Sequence, residues 1–286
     1  MSAKATGLGI IAGGGNLPLR LAEACTIAGR KFLLLGLEGY ADKAIEAHPH
    51  AWSALGTFDR TLKLLKDAAC TEVVFAGVVR RPDFTKIKLD WHGARLLPKI
   101  VQAAARGDNA LLSAILEEFE KEGFRVVGAE EIFAGLLAKP KTLTRAAPVK
   151  RDEADIARAV EVVRALGRLD VGQGAVVCEG LVLAVEAAEG TDRMLERVAA
   201  LPPEIRGLPS ARRGVLVKLP KPAQERRIDL PTIGVATVER AAAAGLAGIA
   251  VEAGAALIID EAKTIVRADE HGLFVAGISL APSIAP

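Results

Sequence analysis

The chain has 286 residues, enough for two ordinary domains, and 51% of them are apolar, so a dense core needs neither metals nor disulfides. Aromatics make up 4% and the formal net charge is +2, which argues against a base-stacking surface and against a phosphate-tracking nucleic-acid protein. Three widely spaced cysteines, Cys25, Cys70 and Cys178, give no disulfide framework and no zinc pattern, and they fit a reducing cytoplasm.

Glycines follow Met1 before any adequate signal-peptide core, so none is expected. The most apolar stretch, residues 241–259, is broken by Glu252 and by Gly245, Gly248 and Gly254, and reads as helix end, turn and strand, not a membrane span. Residues 7–12 form a short apolar run ending in Gly13-Gly14-Gly15-Asn16-Leu17-Pro18. A helical pattern then runs to Gly29, and a second apolar run covers 31–37. A helix is expected over 59–69 with Asp59 as a possible cap, a buried strand over 73–79, helices over 90–105 and 109–123, a short strand over 125–128 and a helix over 130–137. His48 and His50 flank Pro49 in an expected loop, and none of His48, His50, His92 and His271 has metal-ligand spacing. Repeated β-α-β order predicts a Rossmann-like parallel sheet in an N-terminal domain, 1–138.

Residues 139–150, with two prolines and little periodicity, read as a linker, and 151–286 as a distinct α+β C-terminal domain. A helix is expected over 152–166, a hairpin over 175–185 turning at Glu179-Gly180, a helix over 191–200, a strand over 214–218 and a helix over 237–244. Further strands are expected over 248–252, 256–259 and 273–278.

Four constellations bear chemistry. The Gly13–Pro18 turn reads either as a phosphate cradle at a helix N-terminus or as a tight turn with Pro18 near the helix start; it does not match G-x-G-x-x-G. Arg80 and Arg81 stand at the end of a central strand, where a ligand clamp or a solvated pair are equally good readings. The third runs from Glu186 to Asp192, E-A-A-E-G-T-D; Glu189-Gly190-Thr191-Asp192 precede a helix, with Thr191 or Asp192 as its N-cap, as a cleft-facing ligand group, or both. The stretch from Lys218 to Gly234 packs two lysines, two arginines, two acids and three prolines into one irregular segment. Its cations suit diphosphate oxygens and its carboxylates suit Mg2+ or an attacking water. No nucleophile elbow and no H-E-x-x-H are present.

Together these residues resemble a known family. The set is G-G-G-N-L-P at 13–18, R-R-P at 80–82, R-G-D-N at 106–109, D-V-G-Q at 170–173, E-G-T-D at 189–192, K-P-x-Q-E-x-R-x-D-L-P-T-I-G at 221–234 and G-L-A-G-I-A-V-E-A-G at 245–254. Over nearly its whole length the chain is similar to the LpxI-type UDP-2,3-diacylglucosamine pyrophosphatases. That resemblance implies a substrate held between two domains and Mg2+-dependent hydrolysis of UDP-2,3-diacylglucosamine to UMP and lipid X, in lipid A synthesis. It also implies a cytoplasmic enzyme in transient contact with the inner membrane. By the same resemblance the family usually carries Asp where Glu225 stands and a second acid where Asn109 stands.

The site residues expected on this reading are Glu225, Asp192, Lys218 and Gln224 for catalysis, with Glu225 and Asp192 as Mg2+ ligands. Gly13, Gly14, Gly15, Asn16, Leu17, Arg80, Gly190, Thr191, Lys221 and Asp229 are expected to bind substrate. A homodimer is expected on base rates alone. The rivals are a non-catalytic UDP-sugar-lipid binder and a nicotinamide-dependent oxidoreductase, the latter prompted by Glu38 near the end of the second strand.

Overall fold

The computed structural model describes residues 7–80, 82–222 and 224–280; Arg81 and Ala223, and with them parts of two motifs, lie outside the described residues. The chain divides into two units, Met1–Gly135 with Glu225–Asp229, and Leu136–Gln224 with Leu230–Pro286.

The N-terminal unit follows the expected alternation. Strands β1 (Gly7–Ala12), β2 (Phe32–Leu37), β3 (His50–Ser53), β4 (Cys70–Ala76) and β5 (Arg125–Val126) form one sheet in the order β3-β2-β1-β4-β5, and every neighbouring pair is parallel. Helices α1 (Leu17–Ile27), α2 (Phe58–Asp67), α3 (Trp91–Ala104) and α4 (Asp108–Lys121) lie between strands, and the single turn α5 (Ala129–Ile132) follows β5. Strand side chains alternate between faces. Ile11, Leu35 and Val73 share a core with Leu62 and Leu65 of α2 and Phe119 of α4, while Ile10, Leu34 and Val74 are buried at the alternate positions. The loop expected around His50 is partly a strand: β3 pairs with β2 from His50 to Ser53. Asp90, expected inside a helix, is the N-cap of α3, its carboxylate accepting from the Gly93 amide at 2.8 Å.

In the C-terminal unit, α6 (Lys150–Arg168) leads into the hairpin β6 (Gly174–Cys178) and β7 (Leu181–Val185), then α7 (Gly190–Ala199), β8 (Val215–Lys218), β9 (Thr232–Ile233), α8 (Val235–Ala243), β10 (Gly248–Glu252), β11 (Leu257–Ile258), α9 (Glu261–His271) and β12 (Phe274–Ile278). The main sheet runs β12-β10-β8-β6-β7. Its β8, β10 and β12 are parallel, and the hairpin joins antiparallel. One face packs Val177, Val217, Phe274 and Ala276 against Ala159 and Val163 of α6. The other packs Val176, Leu216, Ile249 and Val275 against Leu195, Val238 and Ala268 of α7, α8 and α9. Helix α9 is not among the expected elements. Its buried residues are the small Thr264 and Ala268, so no large apolar stripe announced it.

Residues 139–150, expected to link the domains, belong to the C-terminal unit. The Leu143 amide donates to the Val275 carbonyl and the Gly277 amide to the Lys141 carbonyl, at 2.9 and 3.0 Å. The prolines and weak periodicity mark a strap along β12. In the other direction, Glu225–Asp229, expected within the C-terminal domain, belong to the N-terminal unit. Among the described residues no helix is long and apolar enough to cross a membrane.

Candidate active site

The N-terminal sheet reverses its strand order between β1 and β4. Open parallel sheets bind ligands beyond the carboxyl ends of the strands at such a point. The glycine turn follows β1 there, and Arg80 follows β4. The turn is more occupied than its composition suggests. The Gly13 amide donates to the Ala76 carbonyl at 2.8 Å, the Gly14 amide to the Val78 carbonyl and the Val78 amide to the Gly14 carbonyl, both at 2.9 Å. A Cβ on Gly13 would stand 2.7 Å from the Val78 oxygen, so this pairing requires glycine. Gly13 and Gly14 therefore shape the turn, and their amides are not offered to a phosphate as expected. The amide donors left to a ligand belong to Gly15, with φ of +89°, Asn16 and Leu17, at the start of α1, where amides have no intrahelical partner. Pro18 lies at the first helical positions, as expected. Strand β4 ends at Ala76 instead of 79, and Arg80 is exposed in the loop beyond it.

Glu225–Asp229 supply the other expected residues of this unit. The Glu225 amide donates to Asn109 Oδ1 at 2.8 Å. The Glu225 carboxylate accepts from Arg227 Nε at 2.9 Å and from Arg227 Nη2 at 2.8 Å, and Arg227 Nη1 reaches Glu120 Oε1 at 2.5 Å. Ile228 packs against the Phe119–Leu65 core. The guanidinium of Arg227 holds the Glu225 carboxyl below the ordinary glutamate range, burial opposing it. Asp229 closes the segment, its amide donating to the Glu225 carbonyl at 3.1 Å.

The C-terminal unit gathers three of the quoted motifs at one end of its sheet. Because β6 is antiparallel to β8, Gly174 lies opposite Lys218, and the residues before β6 meet those after β8. Lys221 Nζ donates to Asp170 Oδ1 at 2.6 Å, and Gln224 Nε2 to Gln173 Oε1 at 3.2 Å. The Lys221 amide donates to Gln224 Oε1 at 2.7 Å, so Gln224 pins the turn. Lys218 is 4% exposed. Its ammonium donates to Thr191 Oγ1 at 2.7 Å and to the Thr232 carbonyl at 3.2 Å. Thr191 in turn donates to Glu186 Oε1 at 3.1 Å. Glu186 is 6% exposed, and its Oε2 has no partner among the described residues.

A lysine carries three N–H bonds, two of them used here, so the third suits an anionic oxygen arriving beside the N-terminus of α7. Gly190 opens that helix with φ of +77° and Glu189 is its N-cap, so neither Thr191 nor Asp192 is the cap. Asp192 stands apart: its side chain is 55% exposed and lies 3.4 Å from Arg240 Nη2.

Glu225 and Asp192, the expected Mg2+ ligands, belong to different units. Each carboxylate faces a guanidinium, and no group of three or more His, Cys, Asp or Glu side chains suited to a metal occurs among the described residues. Glu186, at the start of the third constellation, and Asp170 and Gln173, in the D-V-G-Q motif, are not among the expected site residues. A charged residue closing the apolar strand β7, four residues before Gly190, was the available signal for Glu186.

The LpxI N-terminal domain model matches residues 7–136 and the LpxI C-terminal domain model residues 139–276. The chain belongs to the LpxI family. Among LpxI proteins, the UDP-2,3-diacylglucosamine pyrophosphatase LpxI of Caulobacter vibrioides is 52% identical over 271 residues, covering 95% of this chain and 97% of that protein. A solved N5-carboxyaminoimidazole synthase from Aspergillus clavatus is 15% identical, with 65% of this chain and 42% of that one covered. The TM-score between the two is 0.23. The two LpxI domain models meet within a few residues of the unit boundary after Gly135. The fold is therefore that of a two-domain LpxI protein, with a parallel-sheet N-terminal half and a sheet-plus-helix C-terminal half.

Proposed function

We propose that the chain hydrolyses the diphosphate of UDP-2,3-diacylglucosamine to UMP and 2,3-diacylglucosamine 1-phosphate, lipid X, in lipid A biosynthesis. The observation that carries this reading is the 52% identity, across 95% of the chain, to a UDP-2,3-diacylglucosamine pyrophosphatase.

A diphosphate resists attack because its oxygens repel nucleophiles, so positive groups that follow the charge of the transition state do most of the work. On this reading the third Lys218 N–H meets a diphosphate oxygen. Thr191, held by Glu186, fixes the ammonium against rotation, and Gly190 opens the helix whose N-terminus faces the same anion. Lys221 adds charge while tied to Asp170, and Gln224 keeps its loop in place. Arg80, Gly15, Asn16 and Leu17 serve as substrate contacts of the N-terminal unit.

The carboxylate that orients water comes from the Glu225–Asp229 segment. Glu225, held by Arg227, is the first candidate, and Asp229, the segment's other carboxylate, the second. Mg2+ belongs to the same proposal; ions of this kind bind largely through phosphate oxygens with one or two carboxylates. A cytoplasmic location, transient contact with the inner membrane and a homodimer belong to the same proposal.

The decisive assay follows UMP release from UDP-2,3-diacylglucosamine, with Mg2+ and with EDTA. Glu225→Ala is expected to abolish turnover and leave substrate binding largely intact. Loss of turnover in Asp229→Asn with an active Glu225→Ala would move the role to Asp229. Tight binding with no UMP release from the unaltered chain would select the non-catalytic binder, which Glu225's engagement by Arg227 favours. Tight NADH binding would revive the oxidoreductase.

A further inference from the structure

The C-terminal unit holds a second concentration of positive charge, at the other end of β6 from Lys218. A cavity of about 350 Å³ is lined by Arg151, Arg206, Arg212 and Arg213, with Glu179 and Leu208 among its other walls. Glu179 follows the last residue of β6, while Gly174, the first, lies opposite Lys218. At a rise of about 3.3 Å per residue the two ends are about 15 Å apart, so this cavity is not part of the Lys218 cluster.

The guanidiniums are fixed from behind. Arg206 donates through Nε to the Leu201 carbonyl at 2.7 Å and through Nη1 to the Gly207 carbonyl at 2.9 Å. Arg212 Nη1 donates to the Ala242 carbonyl at 2.9 Å. Arg213 donates through Nε to the Arg206 carbonyl at 3.0 Å, through Nη2 to the Glu204 carbonyl at 2.9 Å and through Nη1 to Glu179 Oε2 at 2.6 Å. Arg151 Nε lies 3.7 Å from Asp152 Oδ1.

Four arginines less the carboxylates Glu179, Asp152 and Asp155, the last held by the Glu179 and Gly180 amides, leave one positive charge at the cavity. A guanidinium has five N–H bonds. Arg206 Nη2, and Arg212 Nε and Nη2, donate to no group among the described residues. Capping loop carbonyls explains one edge of each guanidinium but not why four converge on one open cavity, where like charges repel. Burial pulls Arg212 below its ordinary pKa, in keeping with charge held there at a cost. Rigid, partly desolvated guanidinium forks with unused donors match the oxygens of a phosphate.

We propose that this cavity binds one phosphate-bearing dianion of the phosphomonoester class, as a second site separate from the Lys218 cluster. The proposal does not depend on the diphosphatase reading. The test is calorimetric titration of the full chain with inorganic phosphate. Lys218→Met removes the first anion site from the count, and this variant should still bind one phosphate. Adding Arg151→Gln and Arg212→Gln should weaken that binding at least tenfold. Circular dichroism and a thermal melt check the fold. If the triple variant is unfolded, Arg151→Gln alone in the Lys218→Met background should weaken binding about threefold, because among the described residues exposed Arg151 reaches only the Arg212 carbonyl, at 3.5 Å, and Asp152.

Sedimentation with phosphatidylcholine vesicles, with and without phosphatidic acid, identifies the source of the phosphate. Arginine-dependent binding to the acidic vesicles marks a lipid headgroup. Binding of free phosphate without vesicle binding marks a soluble ligand. A Lys218→Met variant that binds no phosphate in either form would overturn the proposal, as would binding unchanged by the arginine substitutions.

Discussion

Lys218 shows how a single buried charge organises its surroundings. A lysine 4% exposed is tolerated only with good partners, and Thr191 and Thr232 provide them. Lys218→Met removes the charge but keeps most of the volume. We expect an intact fold and a kcat loss of about 10²–10³, the cost of losing one preorganised donor to a developing charge, read by UMP release beside a thermal melt. Glu186→Gln keeps the shape and loses the charge behind Thr191. It should lower kcat with little change in KM, and a Glu186→Asp variant should recover part of the loss. Equal rates in Glu186→Gln and the unaltered chain would remove Glu186 from the site.

Glu225 makes a separate prediction about acid. Its carboxyl is lowered from the ordinary value of 4.5. A depressed carboxyl contributes stability that is fully present above its unfolded-state pKa and is lost as pH falls through the lower folded value. Urea unfolding of the unaltered chain and of Glu225→Gln should therefore differ at pH 7. The difference should shrink below pH about 4.5 and vanish in stronger acid. A pH-independent difference would mean that the Arg227 pair does not act through the carboxyl charge.

Among the elements, the β6–β7 hairpin has the most explicit design. Glu179 and Gly180 both have positive φ, 51° and 81°, as a two-residue turn matched to the twist of its strands requires. Asp155, buried on α6, accepts from the Glu179 amide at 2.9 Å and the Gly180 amide at 2.8 Å. Two bonds to a charged acceptor are then lost together in Asp155→Ala, at a cost on the order of 3 kcal/mol, measurable by chemical denaturation. A loss under about 0.5 kcal/mol, as at an ordinary surface site, would show that the turn holds without Asp155. The hairpin was legible in the sequence because Glu179-Gly180 separates two apolar runs. Its clamp was not, because Asp155 is 24 residues from Glu179.

For the molecule as a whole, the three thiols report on packing. Cys25, Cys70 and Cys178 are all buried. Burial raises each thiol, Cys70 to about 11, so thiolate is scarce at neutral pH. All three should resist a thiol reagent in the native chain and react fully in denaturant. A native thiol reacting at the rate of a free peptide would contradict that packing.

Local pattern determined a good deal by itself. The apolar runs of β1, β2, β4, β6, β8, β10 and β12 and the intervening helical periods were readable because burial imposes a repeat on neighbouring residues. The motifs at 170–173, 189–192 and 221–234 were readable as contiguous strings. Tertiary structure alone decided the rest. It set the strand order that puts Gln173 beside Gln224 and Thr191 beside Lys218. It committed the Gly13 and Gly14 amides to the end of β4 and the loop after it, fastened residues 139–150 along β12, and assigned Glu225–Asp229 to the N-terminal unit. The reason is physical. Periodicity records which residues leave water, but not which distant segment they meet, and that depends on sheet order and register, to which sequence neighbours are blind.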